Sequence, residues 1–269
     1  MRRMGVLLAA VLLCGCGLVE EFHTITAVVR EEGSGTRAAF GAAFGLTDET
    51  VDPDAVVTNS TSVVKLCVAG NPGAIGYLSY GALDDSVRAV AIDGIAPTAG
   101  TLADGTYPVM RTFYLTAPAQ ISPAAAGFLR FIASEAGEET TREAGFVPSA
   151  FIPPAGEQTN DEHRLVLCGS SSVAPLCEAL QTAYLVENPG ARVEIQISDS
   201  STGAAALAAG VCDLAMLSRT PGEGEGIAYP IARDALAVIV HPDSAVRELT
   251  SAQVRAIFAG EAVSWDALH

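Results

Sequence analysis

Three short turns rich in serine, threonine and glycine are the segments best suited to chemistry in this chain. They span residues 33–36, 169–172 and 200–203, and each lies between a predicted strand and a predicted helix. A turn that opens a helix presents free backbone N–H groups and hydroxyls at the positive end of the helix dipole, which suits an oxyanion. Serine and threonine also cap most helices, so one such turn is a weak signal. Three of them together predict an anion-binding site.

Arg30 directly precedes the first turn and is the cation best placed to join such a site. A guanidinium offers an oxyanion two parallel hydrogen bonds in a fixed geometry. The alternative interpretation is a salt bridge from Arg30 to Glu31 or Glu32, both of which follow it at once. The sequence alone leaves both interpretations open.

Patterns typical of catalysis or metal binding are missing from the sequence. It contains no G-x-S-x-G motif, and its four histidines, at positions 23, 163, 241 and 269, fall near chain ends or in predicted loops. No cysteine stands at the spacing of a zinc site. A hydrolase with serine-rich turns remains the enzymatic alternative, with no histidine placed to activate a serine. We expect no enzyme activity, no metal and no cofactor.

Composition describes an acidic globular chain of one or two domains. The 269 residues include 49% hydrophobic residues, too many for intrinsic disorder. Lys and Arg number 15 against 31 Asp and Glu, a formal charge of -16. Nucleic-acid binding needs clustered basic residues, which this chain lacks. An anion must therefore be captured by local dipoles against the field of the whole protein.

The N-terminus predicts export. Residues 1–19 join two arginines, a short apolar run and small residues, which is typical of a secretory signal. Leu13 to Cys16, with the sequence LCGC, resembles the lipobox of bacterial lipoproteins, so residues 1–15 are the expected signal peptide and Cys16 the lipidated residue. The alternative is an ordinary signal peptide with incidental cysteines. Cys67, Cys168, Cys177 and Cys212 would then lie in a compartment that permits disulfides, and their pairing stays open.

Hydrophobic patterning predicts an α/β protein with largely parallel strands. A polar segment at residues 153–163, PPAGEQTNDEH, is predicted as a linker between two such stretches. The predicted strands are 24–30, 74–78, 87–92, 113–117, 164–168, 192–197, 213–217 and 234–240. The predicted helices are 36–44, 123–133 with continuation to about 144, 173–186 and 203–210.

Several motifs together resemble the PstS-type phosphate-binding proteins, the extracytoplasmic receptors of phosphate ABC transporters. REEGSGTR at 30–37 resembles their signature, and GSSSVAP at 169–175 is similar to their opening turn. DLAMLSR at 213–219 and LTSAQVRAIFAGEAVSW at 249–265 match further segments, as does NPGAIGY at 71–77. These segments occur in a different order from the family. The segments that form the second half of the family's chain come first in this sequence. A circular permutation, with 153–163 joining the old ends, is the favoured interpretation; a fragment of a tandem array is the alternative.

The resemblance implies a two-lobe, type 2 periplasmic-binding-protein fold. Residues 16–110 with 241–269 would form a discontinuous lobe, and residues 111–240, with the linker, a continuous one. Its implied phosphate contacts are Arg30, Ser34, Gly35, Thr36, Ser171, Ser172, Ser200 and Ser218. Some family members carry an aspartate where Ser218 stands, to accept the phosphate proton; Asp199 is either its substitute or a turn-capping residue.

The implied partners are inorganic phosphate, the permease subunits of an ABC transporter, and a membrane reached through the lipid anchor at the cell envelope. The protein is expected to be a monomer. Two alternatives stay open: a receptor for another oxyanion, such as sulfate or molybdate, and a phosphate-sensing module without a transport role.

Overall fold

The computed structural model describes residues 24–155 and 164–268. The expected signal peptide, Cys16 and residues 156–163 of the expected linker lie outside them. The described residues form strands β1 Thr26–Arg30, β2 Val56–Thr58, β3 Ala74–Ser79, β4 Arg88–Ala89, β5 Ala91–Ile92, β6 Met110–Ala117, β7 Val147–Pro148, β8 Arg164–Ser170, β9 Arg192–Ser198, β10 Leu214–Leu217, β11 Ile227–Val240 and β12 Glu248–Leu249. The helices are α1 Gly35–Phe44, α2 Thr61–Ala69, α3 Ala99–Ala103, α4 Pro123–Ile132, α5 Glu135–Glu143, α6 Ala174–Glu187, α7 Ser200–Ala208 and α8 Ser251–Phe258.

One curled sheet carries the fold, in the order β2-β1-β3-β11-β6-β10-β8-β9. Its two ends are parallel, since β1 pairs in parallel with β2 and β3, and β8 with β9 and β10. Its middle is antiparallel, because β11 runs against both β3 and β6. The predicted α/β class is therefore confirmed, but the expectation of largely parallel strands is wrong for the centre, where β11, β6 and their neighbours pair in antiparallel fashion because long strands cross from one part of the sheet to the other.

Among the described residues the buried hydrophobic side chains form four clusters. The first large core is built from residues between Phe113 and Ala232, with a smaller cluster within 166–217 in the same part of the chain. The second large core is built from residues 27–109 and 235–258, with a smaller cluster from residues 28–87, 237 and 239. We call the residues around the first core the continuous half (111–234) and those around the second the discontinuous half (24–110 and 235–268). β11 belongs to both, since it pairs with β6 over Ile227–Ala235 and with β3 over Leu236–Val240. The boundaries of independent lobes, at 110/111 and 240/241, stay a prediction.

Several elements differ from the sequence patterns. The helix expected over 123–144 is two helices, because Ser134 caps a new one by accepting a hydrogen bond from the Gly137 N–H. β11 begins at Ile227 rather than 234. Its first residues are held in the sheet by pairing with β6, and the sequence shows no apolar alternation there. The strand expected over 87–92 is two short pieces, β4 and β5, paired with different partners.

Glycines shape the turns that follow the parallel strands. Gly169 has a φ of 132°, and a Cβ there would lie 2.5 Å from the carbonyl oxygen of Met216 on the neighbouring strand. Gly203 on α7 packs against it, since a Cβ at Gly203 would lie 2.6 Å from the Gly169 Cα. A larger residue at either position would push helix and strand apart. These two glycines therefore set the α7 start close to the end of β8.

Candidate functional site

The predicted site residues lie at the carboxyl ends of β1, β8, β9 and β10, where the two halves meet. The first turn follows β1 in the discontinuous half, and the serine turns follow β8, β9 and β10 in the continuous half. The Thr36 and Ser172 hydroxyl oxygens are 2.8 Å apart across this boundary. The Ser201 N–H donates to the Gly33 carbonyl, also across it, at 3.2 Å. The structure thus brings the turns together, as the resemblance implies.

Gly35 packs closely against the continuous half. A Cβ built on it would lie 2.4 Å from Ser200 Oγ and 2.6 Å from Ser218 Oγ. The two serines are fully buried, and their hydroxyl oxygens are 3.3 Å apart. Ser170 Oγ donates to Ser218 Oγ at 2.9 Å. Glycine is required here because its missing side chain leaves room for both hydroxyls.

Arg30 is 2% exposed, and its guanidinium contacts Glu31 on one side and Thr61 on the other. Its Nε and Nη2 atoms donate to the two Glu31 carboxylate oxygens, each at 2.7 Å. Its Nη1 atom lies 3.5 Å from Thr61 Oγ1. The salt bridge to Glu31, one of the two interpretations of Arg30, is present, and it leaves the Nη1 side facing the hydroxyls. The pair holds the guanidinium in a fixed orientation.

Ser34 and Ser171 make different contacts from one another. Ser34 is the N-cap of α1, and its Oγ accepts from the Arg37 N–H at 3.3 Å. Ser171 Oγ lies 3.3 Å from Thr61 Oγ1 and 3.4 Å from the Thr61 backbone nitrogen. Ser34 thus supports the helix start, whereas Ser171 belongs to the hydroxyl network. A direct contact of either with phosphate stays a prediction.

Sequence reasoning missed Thr61, Arg111 and Asp234. Thr61 begins α2 just after β2, so the strand, polar turn and helix signal of the other turns is repeated there. Its Oγ1 lies 3.0 Å from Ser172 Oγ. Arg111 and Asp234 stand on the crossing strands β6 and β11 and form a buried ion pair, with the Arg111 Nη1 donating to Thr36 Oγ1 at 2.9 Å. A charge inside an apolar strand was the available signal for both.

The hydrogen bonds run inward from two guanidinium groups. Arg30 and Arg111 can only donate, so Thr61 and Thr36, beside them, must accept. Four hydroxyls, those of Thr61, Ser171, Ser172 and Thr36, then share three links between them, and we call them the hydroxyl cluster. Three hydrogens serve those links, and one remains free to donate to an acceptor such as an oxyanion.

The carboxylates beside the cluster are already engaged. Asp199 caps α7, its Oδ1 accepting from the Ser201 N–H at 2.8 Å and the Thr202 N–H at 2.9 Å, and its Oδ2 from the Thr202 hydroxyl at 2.5 Å. Burial opposes ionisation of Asp199, but these hydrogen bonds hold its pKa below the usual value. This geometry favours the capping interpretation of Asp199. Glu31 is bound by Arg30, and Asp234 by Arg111.

A cavity of about 230 Å³ borders the first turn. Gly33, Ser34 and Arg37 line it from the discontinuous half, and Ser201 and Arg219 from the continuous half. Arg219 does not reach the hydroxyl cluster, since Glu225 holds it through two bonds of 2.6 and 2.7 Å. The space lies between the two halves, next to the donors of the first turn.

Comparison with known proteins assigns the family. A family model described as a PBP superfamily domain matches residues 22–136 and 153–268. The chain is similar to "Phosphate-binding protein PstS 2" of Streptococcus pneumoniae, at 34% identity over 280 residues that cover 96% of each chain. The chain belongs to the PstS-type phosphate-binding proteins of the PBP superfamily.

Structural comparison agrees with this assignment. A crystal structure described as a phosphate-binding protein of a phosphate ABC transporter from Streptococcus pneumoniae superposes with a TM-score of 0.70 at 33% identity, over 91% of this chain and 100% of that one. The type 2 periplasmic-binding-protein fold expected from the resemblance is therefore confirmed. PstS of Bacillus subtilis, in contrast, is 35% identical over only 126 residues, 46% of this chain and 41% of the relative.

Two further features are absent from the described residues. Over 24–155 and 164–268, no group of three or more His, Cys, Asp and Glu residues is placed to hold a metal ion. In the same ranges no helix is long and apolar enough to cross a bilayer.

Proposed function

We propose that this PstS family member binds inorganic phosphate between its two halves and delivers it to an ABC transporter. The hydroxyl cluster carries the proposal, because it spans both halves and keeps one hydroxyl hydrogen free to donate to an anion. The names of the relatives, which are phosphate-binding proteins, support the same ligand. The proposed contacts are Arg30, Ser34, Gly35, Thr36, Ser171, Ser172, Ser200 and Ser218.

The proposed site works through oriented donors rather than net charge. Arg30 is balanced by Glu31 and Arg111 by Asp234, so the buried charges of the site sum to zero. Hydroxyls, N–H groups and the Nη1 side of Arg30 replace the hydration of the anion as the halves close on it. Since the site is buried, each of these bonds is stronger than it would be in water.

A receptor for another oxyanion is the second candidate, and the engaged carboxylates favour it. Hydrogen phosphate carries a proton that needs an acceptor, and Ser218 occupies the position at which some family members have aspartate. Sulfate carries no proton, so an unpaired acceptor is what usually rejects it. With Asp199 acting as a helix cap, rejection of sulfate rests on serine oxygens, and we expect weaker discrimination than in a site with a free carboxylate.

Calorimetric titration of a soluble form that begins after Cys16 tests the ligand, with phosphate and then sulfate near neutral pH. Tight phosphate binding is expected. Arg30→Ala should weaken it by more than about tenfold, the loss of a charged hydrogen bond. Arg142→Ala is the matched control, because Arg142 is a half-exposed arginine paired with glutamates on α5. A folded sample that binds neither anion would contradict the proposal, and unchanged affinity in Arg30→Ala would remove Arg30 from the site.

Membrane attachment is a separate part of the proposal. Cys16 would carry the lipid and hold the receptor at the cell envelope, next to the permease that receives phosphate. Cell fractionation of the full chain and of Cys16→Ser tests it: the first should sediment with membranes and the second should not. Co-purification with a permease favours transport, whereas its absence favours sensing. Release of product from a chromogenic phosphate ester would instead reveal an enzyme, which we do not expect.

Chain order supports the proposed circular permutation. An alignment that follows chain order stops where two proteins are rearranged relative to one another. PstS 2 aligns over 96% of this chain and therefore shares its order, whereas PstS of Bacillus subtilis aligns over 46% of it. That difference is what a rearrangement within the family produces. Joining the halves in the other order, through a linker after residue 268, should give a folded protein with similar phosphate affinity.

A further inference from the structure

A buried ion pair lies where the two crossing strands run side by side. Arg111 on β6 and Asp234 on β11 are register partners, and the Arg111 Nε and Nη2 atoms lie 2.9 and 2.8 Å from Asp234 Oδ2. The two side chains are 4% and 1% exposed. Ser79 donates to the other carboxylate oxygen, Oδ1, at 2.9 Å. Removing two charges from water is costly, so the pair needs a reason beyond stability.

One hydrogen bond connects this ion pair to the hydroxyl cluster. Arg111 Nη1 donates to Thr36 Oγ1 at 2.9 Å, and since arginine cannot accept, the Thr36 oxygen is the acceptor. The Thr36 hydrogen must then point away from Arg111. In that direction lies Ser172 Oγ, at 2.8 Å, on the continuous half. Phe113, whose ring centroid is 4.8 Å from the Arg111 guanidinium carbon, covers the other side of the group.

We propose that Arg111, held by Asp234, is a positioning residue for anion binding that fixes Thr36 as a hydrogen-bond donor toward the ligand. The inference rests on the proposed function and extends it to two residues outside the strand-end turns. Asp234 holds the guanidinium edge on one side, so Nη1 cannot turn away from Thr36. Because the pair lies where both halves share strands, it stays in place when the halves move, and it presents the same donor to each arriving anion.

A double-mutant cycle on phosphate binding tests the connection. Arg111→Met with Asp234→Leu removes both charges together and leaves no unpaired buried charge. This paired variant should bind phosphate at least about tenfold more weakly, as should Thr36→Val. Combining the paired variant with Thr36→Val should weaken phosphate binding by no more than about threefold beyond Thr36→Val alone, because the ion pair and Thr36 act through the same hydroxyl. Thr36→Ser, which keeps the hydroxyl, should bind within about threefold of the wild type.

Two further variants separate positioning from folding. Arg111→Lys keeps the charge but lacks the planar fork whose separate edges reach Asp234 and Thr36, so it should lose affinity even if the paired variant fails to fold. Arg164→Met with Glu194→Leu is the matched control, since it removes an exposed pair with bonds of 2.8 and 2.6 Å from neighbouring strands. It should bind phosphate normally. Thermal unfolding of each variant confirms that it is folded at the titration temperature.

The outcomes distinguish this inference from the proposed function. Unchanged affinity in folded Arg111→Lys or in the paired variant, or losses that add fully to that of Thr36→Val, would overturn the positioning role while leaving phosphate binding intact. A folded wild-type protein that binds neither phosphate nor sulfate would overturn the proposed function and this inference together.

Discussion

Replacing Gly35 by alanine tests the proposal that the halves close on the anion through the contacts seen across their boundary. The new Cβ would lie 2.4 Å from Ser200 Oγ, whereas ordinary contact begins near 3.4 Å, so the first turn must move away by about 1 Å. The serines cannot readily turn aside, because both are buried and Ser218 also accepts from Ser170. A shift of that size would stretch the Thr36–Ser172 contact from 2.8 Å beyond hydrogen-bonding distance.

The expected loss follows from the bonds between the halves. The Thr36–Ser172 bond and the bond from the Ser201 N–H to the Gly33 carbonyl both cross the boundary. Each is worth about 1 kcal/mol, so their loss should raise the Kd for phosphate about 30-fold. Under the proposal the halves are apart in the ligand-free protein, so the clash is absent there, and alanine is favoured over glycine in a helix by up to about 1 kcal/mol. The variant should thus keep its free energy of unfolding while losing affinity.

Calorimetry with phosphate and thermal unfolding without it measure the two quantities. Gly100→Ala is the control, because Gly100 lies in α3 of the same half and the nearest atom to its added Cβ is 3.8 Å away. It should leave the affinity unchanged. If Gly35→Ala binds phosphate as tightly as the wild type, the close approach of the first turn to the serines is not part of the bound state, and the reasoning fails.

Three further outcomes follow from charge and burial. Raising the salt concentration from 0.05 to 0.5 M should change phosphate affinity less than about threefold, because the arginines of the site are neutralised by buried carboxylates that salt screens little; calorimetry measures this. In the native soluble form an alkylating reagent should label partly exposed Cys67 but not buried Cys177, because burial also raises the pKa of Cys177. Cys177 should be labelled only after the protein unfolds, and mass spectrometry measures the labelling. The hydrogen bond from Lys65 lowers the pKa of Asp84 from 3.8 to about 2. The wild type should therefore have a higher free energy of unfolding than Asp84→Asn above about pH 4, and this difference should disappear as the pH falls toward 2. Chemical unfolding at a series of pH values measures it.

The turns could be predicted from sequence because their signal is local. A β-branched run followed by serine, glycine and a helix start spans about ten residues, and parallel strands bring their carboxyl ends to one edge of a sheet. Thr36, Ser172 and Ser200 were found in this way and lie close together in the structure. Arg30 was found from its position before a turn, although the sequence left its partner open.

The remaining site residues depend on pairings that no local pattern contains. Arg111 and Asp234 are 123 positions apart, and only the β6–β11 register makes them partners. Thr61 repeats the strand, polar turn and helix start of the other turns, but β2 has only three residues, so the apolar run before it is too short to stand out. The sequence left Asp199 either as a helix cap or as the proton acceptor, because one carboxylate could serve in either role. The hydrogen bonds of Asp199 to Ser201 and Thr202 favour the helix cap.

Sheet pairing explains why a rearranged chain can still build this site. The start and the end of the described chain are neighbours: Thr24 and Ser264 form an antiparallel bridge, and the Ile25 N–H donates to the Val263 carbonyl at 2.9 Å. A chain that ran from one to the other would need little extra length, which supports the proposed permutation. The site residues stand on turns fixed by strand neighbours rather than by chain order. Moving the ends therefore changes which half is continuous while the strand ends, and the donors on them, keep their places.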